Sequence, residues 1–314
     1  MSTKSRFFLS IAALVIAIGV TSVSMTAQQG LPQGQDETLA VGGGPGAQAN
    51  RRAYVPPAPT GPVPRRPDGK PDMTGYWDGS DGVLHNTVIL EEHPGGFGVQ
   101  AGKSLIIDPK DGTIPYQPSA LVERDRRRDD ANGYEDQVGH CEFYDIGRVH
   151  QFAKDFMFTG NNFVINDTQH ITRVIPLDRK EHLPSNIRLW LGDSIGRWEG
   201  DTLVVDTTNL AGKTRMALGG DFYSADAHIV ERYTMVDSNT INWTMTIEDP
   251  KVFTRPWTLT TYTPFRRQRG PQGMAQYDVE DTCHEGNVDL AHLKNTYEQA
   301  HGSAAHPTAN PSKK

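Results

Sequence analysis

The stretch that decides the fold is residues 228–250, HIVERYTMVDSNTINWTMTIEDP. In its second half, apolar residues occupy every other position: Ile241, Trp243, Met245 and Ile247. This alternation predicts a β-strand with one packed face and one polar face. Residues 237–239, Asp-Ser-Asn, are typical of a turn and divide the stretch into two strands. A regular first strand would place His228 and Glu231 on opposite faces of the sheet.

Other parts of the chain repeat this pattern of short strands and tight turns. Strands are predicted within residues 104–116 (SLIIDPKDGTIPY), 155–178, 197–208 (RWEGDTLVVDTT) and 257–265 (WTLTTYTPF). One helix should begin near Ser119, as its N-cap, and another after Asn287, where Leu290, Leu293 and Tyr297 have helical spacing. We therefore expect a mainly β fold: an antiparallel β-barrel or curved, lipocalin-like sheet with two peripheral helices. A doubly wound α/β fold is disfavoured, because strands do not alternate with long helical patterns.

The two ends of the chain differ from this central part. Residues 1–27 have the layout of a secretory signal peptide, with Lys4 and Arg6 before an apolar run from Phe7 to Val20. That run is too short for an ordinary membrane span, and no second one follows, so a periplasmic or secreted chain without a membrane span is expected. Residues 28–71 predict a disordered Gly/Pro-rich lead-in, residues 72–300 one β-barrel-like domain, and residues 301–314 a disordered tail.

Charge and cysteine content limit the classes of partner. The chain carries 31 basic and 38 acidic residues, an excess that does not favour nucleic acid. Cys141 and Cys283 are the only cysteines. A disulfide is favoured in an exported chain, while a metal site or free thiols stay open as alternatives. No phosphate loop, zinc-protease, EF-hand or haem motif is present, so neither a cofactor nor a metal is predicted.

Residues 192–196, GDSIG, match the G-x-S-x-G pattern of serine hydrolases. In those enzymes the serine lies on a sharp turn between a strand and a helix. Here residues 197–208 follow, and they read as a hairpin with Gly200 at its turn. A turn or strand hydroxyl is therefore the preferred interpretation of Ser194, with a serine esterase as an alternative.

A set of polar and aromatic residues points to acid–base chemistry in a pocket. Asp193 and His228 are the candidate catalytic groups, and Arg188 is a candidate partner for substrate charge. Trp190, Trp198 and Trp257 are candidate pocket walls. We expect an enzyme (a lyase, isomerase or hydrolase) that acts in the barrel on a small organic or carbohydrate-derived substrate. The alternative is a non-catalytic protein that binds a small ligand in the same cavity; no oligomeric state is predicted.

Several blocks of the chain resemble a largely uncharacterised family of exported bacterial β-rich proteins. They are IPLD, GDSIGRWEGDTLVVDTTN, VERYTMVDSNTINWTMTIEDPKVFTRPW and TCHEGN, with LIIDPKDGTIPY as a weaker one. The resemblance covers about residues 105–290 and implies that these blocks belong to one β-rich unit. It implies no activity for any residue. The segment GHCEFYDIGRVHQ departs from the Pro-rich cysteine segment of the family.

Overall fold

The computed structural model describes residues 54–79, 89–94, 101–150, 153–167, 171–261, 263–268 and 289–302. All of them belong to one compact unit, Gly43–Lys314. The predicted signal peptide, most of the lead-in and Cys283 lie outside the described residues.

The described part of the chain is mainly antiparallel β-sheet. The strands are β1 (Gly75–Asp78), β2 (Ile106–Asp108), β3 (Lys154–Thr159), β4 (Asn162–Asp167), β5 (Thr172–Pro176), β6 (Asp193–Glu199), β7 (Thr202–Thr208), β8 (His228–Asp237), β9 (Thr240–Glu248), β10 (Trp257–Thr260) and β11 (Phe265–Arg267). Their order in the sheet is β5-β4-β3-β1-β11-β9-β8-β7-β6, and β10 pairs with both β9 and β2.

This sheet nearly closes into a barrel, because its two edge strands, β5 and β6, lie against each other. Gly196 on β6 permits this approach: a Cβ atom there would lie 2.6 Å from Leu177 Cδ2. Rings from strands that are not neighbours in the sheet also meet, with Phe156 of β3 and Tyr233 of β8 5.6 Å apart. The face that carries these rings is therefore the interior of the barrel-like sheet, and the prediction of its architecture is confirmed.

The strand pattern predicted in residues 228–250 is confirmed. β8 and β9 form a hairpin around the turn that begins at Asp237. The four alternating apolar side chains of β9 are buried, whereas Asn242, Thr244 and Thr246 are half-buried and Glu248 is exposed. Gly200, with a φ of 60°, turns the β6–β7 hairpin, as the sequence predicts.

The described residues form three α-helices outside the sheet: α1 (Pro118–Arg128), α2 (Ile146–Val149) and α3 (Asp289–His301). The structure corrects the predicted start of α1, because Pro118 is its first residue and Gln117, not Ser119, is the N-cap. Proline suits this position since the first helical N–H has no partner within the helix. α3 agrees with the helix expected after Asn287, and α2 was not predicted.

The described end of the lead-in contacts the sheet. Thr60 donates from its backbone N and its hydroxyl to Asp237 Oδ2, at 2.9 and 2.7 Å. Arg65 forms an ion pair with Asp201, beside the β6–β7 turn. Residues 54–71 therefore differ from the disordered segment that their composition predicts, because these polar contacts and the packing of Val63 against the core attach them.

Candidate functional site

A chain of alternating carboxylates and imidazoles lies at one end of β6, β7 and β8. It consists of Asp193, His182, Asp206 and His228, and we call it the Asp–His chain. Asp193 begins β6, Asp206 lies on β7 and His228 begins β8. By strand alternation, Asp206 and His228 face away from the barrel interior, which Val205 and Glu231 face.

Hydrogen bonds connect the members of the Asp–His chain in sequence. His182 Nδ1 lies 2.9 Å from Asp193 Oδ2, and His182 Nε2 lies 3.0 Å from Asp206 Oδ1. His228 Nε2 lies 3.0 Å from the same Asp206 oxygen. The two residues singled out by sequence, Asp193 and His228, are thus joined through two that were missed, His182 and Asp206.

The donor and acceptor inventory sets the direction of these hydrogen bonds. An ionised carboxylate only accepts, so a ring N–H of His182 or His228 is the donor in each of them. His228 donates through Nε2 to Asp206. No hydrogen bond engages His228 Nδ1 within the part of the chain that the structure describes, and the side chain is 40% exposed. His228 therefore presents an open nitrogen at the outer end of the chain.

The surroundings hold the two carboxylates ionised. Burial acts to raise the pKa of Asp193, but the Leu183 amide, Arg179 and His182 outweigh it and lower that pKa overall. The hydrogen bond from His228 lowers the pKa of Asp206, despite partial burial. In return, Asp206 raises the pKa of His228 above its ordinary value.

The loop that carries His182 is fastened at two places. Arg179 Nη2 donates to Asp193 Oδ1, and also to the Ser194 carbonyl at 3.3 Å. Asn209, directly after β7, donates from Nδ2 to the carbonyls of Leu183 and Pro184, at 2.9 and 3.3 Å. Asn209 has a φ of 56°, a conformation that asparagine tolerates better than most residues. These contacts explain how a loop residue is positioned against two strands.

The remaining candidate residues lie in different places. Arg188 binds the Ala225 carbonyl and Asp226, two residues before His228. Trp190 lies in a turn closed by a 3.1 Å hydrogen bond from Gly192 N to Leu189 O. Trp198 stacks on Phe158, with ring centroids 6.2 Å apart. Trp257 is a core residue with 0% exposure. The structure thus describes no common pocket wall formed by the three tryptophans.

Ser194 lies inside β6 rather than on a turn before a helix. Its Oγ shares a hydrogen bond of 2.9 Å with Thr207 Oγ1 and accepts one of 3.2 Å from Arg173. The structure describes no hydrogen bond between Ser194 and a histidine. The geometry agrees with the interpretation of Ser194 as a strand hydroxyl.

A second polar cluster, the Glu231 network, fills part of the barrel interior. Glu231 Oε1 accepts from Arg173 Nη1 at 3.1 Å, and its Oε2 accepts from Arg173 Nη2 at 2.6 Å. Further groups lie around Oε1: the Tyr233 hydroxyl at 2.7 Å, His150 Nε2 at 3.0 Å and Trp243 Nε1 at 3.3 Å. These contacts connect β8 to β5, which are not neighbours in the sheet.

The charges of the Glu231 network are set by burial and by pairing. Burial opposes ionisation of Glu231, but Arg173 and His150 outweigh it and hold its pKa well below the usual range. Burial lowers the pKa of His150 to about 4, so this ring is neutral at pH 7. Burial also lowers the pKa of Lys154 to about 8, although Asp167 lies 3.5 Å from its ammonium.

Neither cluster has the arrangement of a metal site. Within the described ranges, no group of three or more His, Cys, Asp or Glu side chains could hold a metal ion. The same ranges contain no helix that is long and apolar enough to cross a membrane. They contain no free cysteine either, and because Cys283 lies outside them, the Cys141–Cys283 bridge stays a prediction.

Comparison with known proteins finds no matching family model, no similar curated protein and no similar solved structure. The family resemblance therefore stays a prediction.

Proposed function

We propose that this protein is an enzyme of acid–base catalysis in which His228 transfers the proton. The observation that carries the proposal is the half-exposed His228 ring, whose Nε2 lies 3.0 Å from Asp206 while its Nδ1 has no hydrogen-bond partner among the described residues. A histidine oriented by a carboxylate is the commonest device for proton transfer near neutral pH.

Each member of the Asp–His chain has a distinct role in this proposal. Neutral His228 removes a proton through Nδ1 from the substrate or from a water molecule. Asp206 fixes the ring through Nε2–H and stabilises the imidazolium that forms. His182, which lies between Asp193 and Asp206, holds Asp206 in place and is a positioning residue rather than a proton donor to substrate.

The proposal keeps the substrate and location that the sequence predicts. A small organic or carbohydrate-derived molecule can reach a half-exposed histidine on the surface. An exported, periplasmic or secreted protein agrees with the layout of residues 1–27. The proposed site differs from the predicted one in position, because the Asp–His chain faces away from the barrel interior.

The test is turnover of a defined panel by the full-length processed protein. The panel contains 4-nitrophenyl esters for hydrolysis, 4-nitrophenyl glycosides for glycoside cleavage, and an oligogalacturonate for elimination. We expect turnover of at least one member, a loss of about 100-fold or more in His228→Gln, and a similar loss in Asp206→Asn. His292→Gln on α3 is the matched control and should retain full activity.

Three other results would contradict the proposal. Turnover that survives in His228→Gln would remove this histidine from the mechanism. Turnover that survives there but is lost in Ser194→Ala would favour the serine esterase. Binding of panel members without any turnover would favour the non-catalytic ligand-binding protein.

A further inference from the structure

An aromatic surface with one lysine lies near the Asp–His chain. We call it the Trp190 platform, formed by Phe143, Trp190 and Lys213. The rings of Phe143 and Trp190 are tilted by 37°, with centroids 6.1 Å apart. Lys213 Nζ lies 5.4 Å from the centroid of the Trp190 ring, within cation–π distance.

Two of the three platform residues, Phe143 and Lys213, are exposed, Trp190 is half-buried, and no carboxylate of the described residues forms an ion pair with Lys213. Phe143 is 43% exposed, unlike the core aromatic residues of the barrel interior. Lys213 is exposed as well, and among the described residues no ion pair joins it to a carboxylate. The nearby cations differ: Arg188 and Lys251 both pair with Asp226. Lys213 is therefore the cation here that is available to an external anion.

Contacts made by residues next to the platform place this surface close to the chain segment that leads to His228. Gly212, the neighbour of Lys213, approaches Ala225 so closely that a Cβ atom would lie 2.4 Å from Ala225 N. Arg188, two residues before Trp190, donates to the Ala225 carbonyl. Ala225 thus lies against the residue before Lys213 and accepts from the side chain of a residue near Trp190. It is three residues from His228, a span of at most about 11 Å.

We propose that the Trp190 platform binds a ring that bears a carboxylate, and that the proposed enzyme therefore acts on cyclic acids. The second statement, that the enzyme acts on the bound acid, rests on the proposed function. The binding site itself rests on the geometry of Phe143, Trp190 and Lys213. The ring of the ligand packs against Phe143 and Trp190, and its carboxylate meets the Lys213 ammonium. An aromatic acid and a sugar acid share this chemistry, so the experiment includes both.

Binding is measured by NMR, from the indole N–H signal of Trp190 in the full-length processed protein. The probes are benzoate and D-glucuronate, with benzyl alcohol and D-glucose as their neutral counterparts. We expect saturable shifts for at least one acid, with its neutral counterpart at least about tenfold weaker. The acid that binds more tightly identifies which source of carboxylate the site prefers.

Variants separate the platform from the Asp–His chain. Lys213→Gln should weaken binding of the acid about tenfold and leave the neutral compound unchanged. Lys110→Gln, at an exposed lysine in the turn after β2, is the matched control and should change neither. Phe143→Ser should weaken both compounds, and Phe143→Tyr should restore them. His228→Gln should retain binding, so a failure of catalysis and a failure of the platform are distinguishable.

The proposal is overturned if neither acid gives a saturable shift, or if each acid and its neutral counterpart bind equally. It is also overturned if Lys213→Gln binds the acid as tightly as the unmodified protein. Binding that is lost in His228→Gln but kept in Lys213→Gln would move the anion site from the platform to the Asp–His chain.

Discussion

Replacing Glu231 with glutamine should strongly destabilise the fold. The substitution keeps the size of the side chain but removes the charge that pairs with Arg173 inside the barrel-like sheet. Both residues are buried, with Glu231 0% and Arg173 4% exposed at the side chain. An unpaired guanidinium in this position cannot be solvated by water.

The expected magnitude follows from the contacts that are lost. Breaking a buried ion pair by removing one partner costs about 3–5 kcal/mol. Glutamine also replaces one carboxylate oxygen of Glu231 with an NH₂ group, which cannot accept a hydrogen bond. In the unmodified protein, Tyr233 at 2.7 Å and Trp243 at 3.3 Å are among the groups that donate to this carboxylate. We therefore place Glu231→Gln at the upper part of that range, which corresponds to a fall in Tm of roughly 10 °C or more.

The assay is urea unfolding followed by circular dichroism, with Glu199→Gln as the matched control. Glu199 forms an ion pair of 2.9 Å with Arg232 at the exposed surface. The same change there should leave the unfolding midpoint nearly unchanged, because water screens exposed pairs. Glu231→Gln combined with Arg173→Met should be more stable than Glu231→Gln alone, since no charge is then left unpaired.

Two results would refute this reasoning. Equal midpoints for Glu231→Gln and Glu199→Gln would show that burial of the inner pair has no energetic consequence. A double variant whose destabilisation is the sum of the two single ones would show that Glu231 and Arg173 are not coupled.

Further predictions address the Asp–His chain, the platform and the cysteines. Asp206 raises the pKa of His228, so their pair stabilises the fold most below the unfolded value of 6.5 and less as pH rises through the raised value. The difference in unfolding free energy between the unmodified protein and His228→Gln should therefore shrink from about pH 6 to about pH 9. Gly212→Ala should cost about 2 kcal/mol more than Gly200→Ala in urea unfolding, because both have positive φ but only Gly212 lacks space for a Cβ atom. Equal costs would contradict the close approach to Ala225. Peptide mapping by mass spectrometry without reductant should link Cys141 to Cys283, and reduction should lower stability by about 2–5 kcal/mol; two unlinked peptides would disprove the bridge.

The strands could be predicted because each hairpin carries its own signals. Alternation of apolar and polar residues on β9 specifies which face is buried, and Gly200 specifies where β6 turns into β7. Closure of the sheet into a barrel is less evident from local sequence patterns. It depends on contact between β5 and β6 across Gly196 and on the Glu231–Arg173 pair, and neither is local in sequence.

The candidate site was only half predictable for a related reason. Residues 209–227 separate β7 from β8, so no tight turn sets the register that brings Asp206 next to His228. His182 lies in a loop, where side chains have no periodicity to reveal their direction. The sequence of β8 does indicate a buried polar contact, because Glu231 occupies a position that the alternation assigns to the buried face. A charged side chain on a buried face requires a partner.

The two polar clusters differ in what they can still bind, and this difference locates the proposed chemistry. In the Glu231 network, both carboxylate oxygens are occupied by protein donors, and the side chain is 0% exposed. Such a network holds β5 against β8 and leaves its carboxylate no capacity for a substrate. In the Asp–His chain, by contrast, the internal bonds fix three members and leave His228 Nδ1 open at the surface. Proton transfer to an external molecule therefore fits the outer face of the sheet better than the barrel interior, and Ala225, which contacts residues beside the Trp190 platform, lies three residues before His228.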